Sequence, residues 1–155
     1  MKVLCVDKGG ATLSLMLETA IRTECARGGL TGVEIDGGGI DFNSVCDTHE
    51  FCFWALVVNG LKPEARFSRC VGFISNLSEY RLIVCSTSEQ KEAIEDLVGN
   101  GPEVIVANYP QGLIEPEDDS RYAFLKCVKD VILSVPNIVA KIREITETSV
   151  SPSVP

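Results

Sequence analysis

A chain of 155 residues with a formal net charge of −8 can bury one sizeable core and has the common size of a single domain. Its acidic balance, with no basic stripe, excludes nucleic acid and anionic membrane surfaces as expected partners. No apolar run approaches the length of a membrane span, and the first residues lack a basic segment followed by an apolar one, so a soluble cytoplasmic protein is expected.

The seven cysteines (Cys5, Cys25, Cys46, Cys52, Cys70, Cys85, Cys127) are scattered and never form a C-x-x-C pair. Cys5 and Cys85 sit inside apolar runs. This pattern predicts buried thiols in a reducing compartment rather than disulfides. His49 is the only histidine and no cysteine pair has ligand spacing, so no metal site and no cofactor are expected.

The chain opens with Lys2 to Ser14, KVLCVDKGGATLS. It reads as an apolar strand (Val3, Leu4, Cys5, Val6), a small-residue loop (Gly9, Gly10, Ala11) and a helix entered at Thr12 to Ser14. A strand feeding a helix through such a loop leaves several backbone N–H groups pointing into one concavity, backed by the positive end of the helix dipole. That is an anion cradle. The helix, Ala11 to Ala26, carries Leu13, Met16, Leu17, Ala20 and Ile21 at helical spacing, and Gly28-Gly29 stops it.

Thr31 to Ile35 predicts a second strand, with Asp36-Gly37-Gly38-Gly39 turning away from it. A second helix is predicted over Asp47 to Val58, capped at Thr48, with Phe51 and Trp54 assigned to the core; Asn59-Gly60 closes it. His49, near its start, reads as a surface or capping residue rather than a base. Leu61 to Leu77 reads as an irregular connection with one helical turn around Ser75 to Leu77. Tyr80 to Ser86 predicts a third strand, Glu89 to Val98 a third helix capped by the Ser-Thr-Ser run, and Glu103 to Ala107 a fourth strand. Asn108 to Gly112 forms a loop, and Asp118 to Ile145 a final helix interrupted at Pro136. The cluster Glu115, Glu117, Asp118 and Asp119 reads as the acidic first turn of that helix. Residues 1–148 are expected to form one domain, and 149–155, rich in serine and proline, a disordered tail.

Strands alternating with helices over four rounds predict a small doubly wound α/β domain: a four-stranded parallel sheet with helices on both faces. Ligands in such sheets bind outside the carboxyl ends of the strands. One site is therefore expected, around Asp7 to Ser14 and the loop of Tyr109.

Val3 to Glu18 (VLCVDKGGATLSLMLE) resembles, without a gap, the opening of the low-molecular-weight protein tyrosine phosphatases and their arginine phosphatase and arsenate reductase relatives. In that family a strand leads into C-x5-R-[S/T] and then P-M-A-E. Glu79 to Ile94 (EYRLIVCSTSEQKEAI) is similar to the family's third strand and following helix, and Tyr109-Pro110 falls where the family carries its Asp-Pro. The resemblance spans nearly the whole chain and implies the phosphatase fold.

It also implies a loss of chemistry. The family's nucleophilic cysteine corresponds to Asp7, its phosphate-gripping arginine to Leu13, and its general-acid aspartate to Tyr109, whose phenol is a far weaker acid. Gly9 and Ser14 match the family; Gly10 stands for its loop asparagine and Leu15 for its helix proline. Removing such an arginine costs on the order of 3 to 7 kcal/mol of transition-state stabilisation. A carboxylate at Asp7 would oppose a phosphate dianion by about 4 kcal/mol per unit-charge pair at 4 Å with an effective dielectric near 20.

The expectation is a catalytically inactive phosphatase-like protein with a binding or regulatory role. Its pocket would be the degenerate phosphate loop Asp7, Lys8, Gly9, Gly10, Ala11, Thr12, Leu13 and Ser14, together with Tyr109. It would bind phosphate weakly or not at all, and would engage a protein partner or a second copy of itself. The alternative is a hydrolase-type enzyme with altered chemistry centred on Asp7 and Ser14. An aspartyl-phosphate mechanism of the haloacid dehalogenase kind needs a second acid two residues on, where Gly9 stands.

Overall fold

The computed structural model describes residues 1–44, 47–65, 68–74 and 76–150. Four strands, β1 (Lys2–Asp7), β2 (Glu34–Gly39), β3 (Tyr80–Cys85) and β4 (Glu103–Val106), form one parallel sheet in the order β2-β1-β3-β4. The helices are α1 (Leu13–Arg27), α2 (Glu50–Val58), α3 (Ser88–Val98) and α4 (Arg121–Val150). No helix among the described residues is long and apolar enough to cross a membrane.

Alternation along the central strands separates two apolar layers. Val3, Cys5, Leu82 and Val84 face a core built with Leu17 and Ile21 of α1, Cys52 and Leu56 of α2, and Val128 and Ile142 of α4. Leu4, Val6, Ile83 and Cys85 face the other way, against Ile94 of α3 and Val71. Burial on both faces explains why β1 and β3 read as continuous apolar runs. The chain order reverses between β1 and β3, the position where open α/β sheets bind ligands at the carboxyl ends of their strands.

Several elements depart from the expectation. The second strand begins at Glu34 and runs through Asp36-Gly37-Gly38-Gly39, residues expected to turn away, because Leu4 to Asp7 pair in register with Asp36 to Gly39. The turn lies earlier, where Gly29 and Gly32 take φ values of +70° and +71°. Helix α2 starts at Glu50 rather than Asp47. His49, not Thr48, is its cap, with the ring Nδ1 accepting the Phe51 N–H at 3.1 Å. The irregular connection carries short 3-10 turns at Val71–Phe73 and Leu77–Glu79; Ser75, in the expected turn, lies outside the described residues.

Helix α4 begins at Arg121 instead of Asp118, because the Ser120 Oγ accepts the Ala123 N–H at 3.2 Å while Asp118 accepts the Ser120 N–H. The four acidic residues therefore precede the helix. Nor does Pro136 interrupt it: the proline is exposed and so is Ile132, whose carbonyl loses its partner on the side where water can replace it. The helix continues through Ser149 and Val150, and residues 151–155 lie outside the described residues.

Phe51 and Trp54 pack at the margin of the core rather than within it, half-buried, with the Arg121 guanidinium 5.4 Å and 5.1 Å from their ring centroids. The six described cysteines are buried; Cys46 lies outside the described residues.

Candidate functional site

The loop joining β1 to α1 lies at the carboxyl end of β1, beside the point where β3 ends. Its backbone is held from several sides. The Ile40 and Asp41 N–H groups donate to the carbonyls of Asp7 and Lys8, both at 3.0 Å, extending the β1–β2 pairing past the end of the strands. The Ser68 hydroxyl donates to the Gly10 carbonyl at 3.2 Å, and the Cys52 thiol of α2 lies 4.0 Å from the Thr12 carbonyl.

Gly10 takes φ +75°, and any Cβ on it would meet the Gly39 nitrogen at 2.6 Å. A Cβ on Gly39 would fall 2.5 Å from the Gly9 carbonyl carbon and 2.6 Å from the Gly10 nitrogen. Gly39 is thus required by backbone packing: a side chain there would keep the loop from folding down beside the strand.

The Asp7 side chain, fully buried, turns into the concavity of its own loop. Its Oδ1 accepts the Gly10 N–H, and its Oδ2 accepts the N–H groups of Thr12 at 3.2 Å and Ser14 at 2.9 Å. These donors precede and open α1, so the carboxylate also meets the positive end of the helix dipole. An anion belonging to the chain occupies the cradle. Leu13, where an arginine would reach over the cradle in the resembling family, is instead buried in the core. Ser14 is fully buried, Ala11 is buried, and Lys8 projects to solvent.

Tyr109 is on the loop that follows β4, at the same end of the sheet. It is 76% exposed, so its ring neither fills nor closes the cradle. The loop is tied to the end of β3 through the Leu113 N–H, which donates to the Ser86 carbonyl at 2.7 Å, and Ser86 Oγ donates to the Val6 carbonyl at 3.0 Å.

One carboxyl near the cradle departs from the sequence expectation: Glu115, expected in the first turn of the last helix, lies instead in the loop before α4, half-buried. Burial, reinforced by the negative charge of Asp7, pushes its carboxyl up to about 7, with Lys8 pulling the other way. No spacing rule places Glu115 near Asp7; an irregular loop carries it there. His49 spends its Nδ1 on capping α2 and stacks on Phe124 with ring centroids 5.0 Å apart. No group of three or more His, Cys, Asp or Glu among the described residues is placed to share a metal ion.

No protein-family model matches the chain, and no curated protein sequence matches it significantly. Solved structures do. A mutant of YwlE from Bacillus subtilis is 17% identical, with a TM-score of 0.77 over 92% of this chain and 99% of that one. The Drosophila arginine phosphatase DARP is 16% identical, with a TM-score of 0.78 over 92% of this chain and 98% of its own. A low-molecular-weight protein tyrosine phosphatase from Bacillus subtilis is 15% identical, with a TM-score of 0.75 over 93% of this chain and 98% of that one. With nearly complete mutual coverage, the chain has the fold shared by low-molecular-weight protein tyrosine phosphatases and arginine phosphatases.

Proposed function

We propose that this protein is a pseudophosphatase: a phosphatase-fold chain without phosphoryl-transfer activity that works by binding a partner. One observation carries the reading. Three N–H donors of the loop, those of Gly10, Thr12 and Ser14, which in an active phosphatase would face the oxygens of a phosphate, donate instead to the buried carboxylate of Asp7. A phosphate dianion would have to displace a covalently attached anion and would meet its charge at close range. The positions where the resembling family keeps its arginine and its general acid hold a buried leucine and an exposed tyrosine, Leu13 and Tyr109.

The same geometry counts against Asp7 as a nucleophile. An attacking carboxylate needs an oxygen open to the substrate, whereas both Asp7 oxygens accept backbone N–H groups and the side chain has no exposed surface. The cradle serves as a structural device. It folds the loop and starts α1 without a bound ligand, leaving the surrounding surface for recognition.

Hydrolysis of p-nitrophenyl phosphate by the purified chain, beside the Asp7→Cys/Leu13→Arg double variant, tests this. The natural chain is expected to give no turnover and no thermal stabilisation by phosphate, and the variant to gain phosphate stabilisation. Turnover by the natural chain that Asp7→Asn abolishes would overturn the proposal.

A further inference from the structure

Beside the cradle, the loop before α4 and the first turns of that helix enclose a cleft of about 80 Å³. Its apolar wall is made by Ile114, Tyr122 and Ala123, and its polar side by Glu115, Glu117 and Asp118. Ile114 and Tyr122 are 72% and 78% exposed, two large apolar side chains standing open around a group of carboxylates. Asp130 adds a further negative charge, and the one cation of the lining, Lys126, approaches Glu117 only to 4.0 Å.

We propose that this cleft docks a basic segment of a partner protein, an arginine or lysine side chain laying its methylenes against Ile114 and Tyr122 and its cationic head among Glu115, Glu117 and Asp118. The proposal rests on the reading of the chain as a binding protein and names the chemistry of its partner. Long basic side chains suit such a surface, because their stems cover apolar area while their heads need compensating charge.

Charge also decides against a second copy as the occupant. The chain carries 14 Lys and Arg against 22 Asp and Glu. Several of its cations are already committed within the molecule: Lys2 to Glu79, Arg22 to Glu18, Arg69 to Asp36 and Lys141 to Glu103. A partner richer in cations than this acidic chain suits the cleft better.

Docking of a cation is linked to the protonation of Glu115. That carboxyl faces Asp7 and Lys8 from the cradle loop and Cys127 from α4, besides the charged groups of the cleft already named. With its carboxyl pushed up to about 7, Glu115 is half-protonated near neutrality, and a bound cation favours the ionised form. Affinity should therefore rise as pH increases through 7.

The test is fluorescence anisotropy with a short fluorescein-labelled peptide of alternating arginine and leucine, beside the same peptide with glutamine for arginine. The arginine peptide is expected to bind the natural chain, more tightly above pH 7 than below. Binding should weaken at least about tenfold in Glu115→Gln/Asp118→Asn, the scale of one lost charge-assisted hydrogen bond, and also in Tyr122→Ser. The charge-matched control Glu92→Gln/Asp96→Asn, on exposed positions of α3, should bind like the natural chain.

Absence of binding, equal binding of the two peptides, or an equal loss in the α3 control would overturn the proposal, the last by showing diffuse attraction to an acidic protein. A dimer that dissociates in Tyr122→Ser would also overturn it, since a second copy would then cover the cleft. Aryl phosphate hydrolysis measured on the same preparation reports separately on the pseudophosphatase reading, so failure of one is distinguishable from failure of the other.

Discussion

Replacing Asp7 by alanine removes the internal anion while leaving the loop its length. Three backbone N–H groups, those of Gly10, Thr12 and Ser14, lose their acceptor. A buried donor left unsatisfied costs about 1 to 3 kcal/mol. Some relief comes from water entering the vacated space, so the net loss should be about 3 to 6 kcal/mol, set against the 5 to 15 kcal/mol typical of a whole domain. With a urea m-value of about 2 kcal/mol/M, the midpoint falls by about 1.5 to 3 M.

The emptied cradle should then accept an external anion. Phosphate at about ten times its Kd would return about 1.4 kcal/mol to the variant by mass action, and nothing to the natural chain. Urea unfolding followed by Trp54 fluorescence, with and without phosphate, reads both effects. An unchanged midpoint in Asp7→Ala would refute the reasoning, as would phosphate stabilising the natural chain as much as the variant.

Other consequences follow from the same geometry. Because the Glu115 carboxyl is raised to about 7 in the folded chain from an ordinary 4.5, the folded state holds that proton more tightly. The associated stability is present below about pH 4.5 and lost as pH rises through 7, on the order of 1 to 3 kcal/mol; urea midpoints across this range should show the decline, and Glu115→Gln should flatten it. Gly39→Ala drives a Cβ into the backbone of Gly9 and Gly10 and should lower stability by about 2 to 3 kcal/mol, whereas a loss below about 0.5 kcal/mol would show that the loop can move aside. Pro136→Ala restores an N–H to α4 at an exposed position and should raise stability by about 1 to 3 kcal/mol in thermal melts; a lower melting temperature would mean that the helix depends on the proline.

Much of the architecture is legible because local signals agree with the fold. The apolar runs of β1 and β3 are buried on both faces, and Thr87 and Gln90 form the capping box that opens α3. The second strand is legible at Glu34 and Ile35 but not over the rest of its length, since three of its six residues are Gly37, Gly38 and Gly39. Glycines carry no side-chain period, and what holds them in the sheet is their pairing with Cys5 to Asp7 of β1, far away in sequence.

The site divides in the same way. Asp7 answering its own loop can be anticipated, because donor and acceptor lie within seven residues of each other. Glu115 cannot, since its place depends on where α4 begins. A single hydroxyl, Ser120, moves that start past all four acidic residues.

Three backbone amides decide whether the cradle is closed to phosphate. In a nitrogen-15-labelled sample, the Gly10, Thr12 and Ser14 amide resonances can be followed as inorganic phosphate is added to the natural chain. With the Asp7 carboxylate in the cradle, these resonances should stay in place while those of Asp7→Ala move and saturate. Saturable movement of the same three resonances in the natural chain would contradict the account, because the cradle would then be open to phosphate.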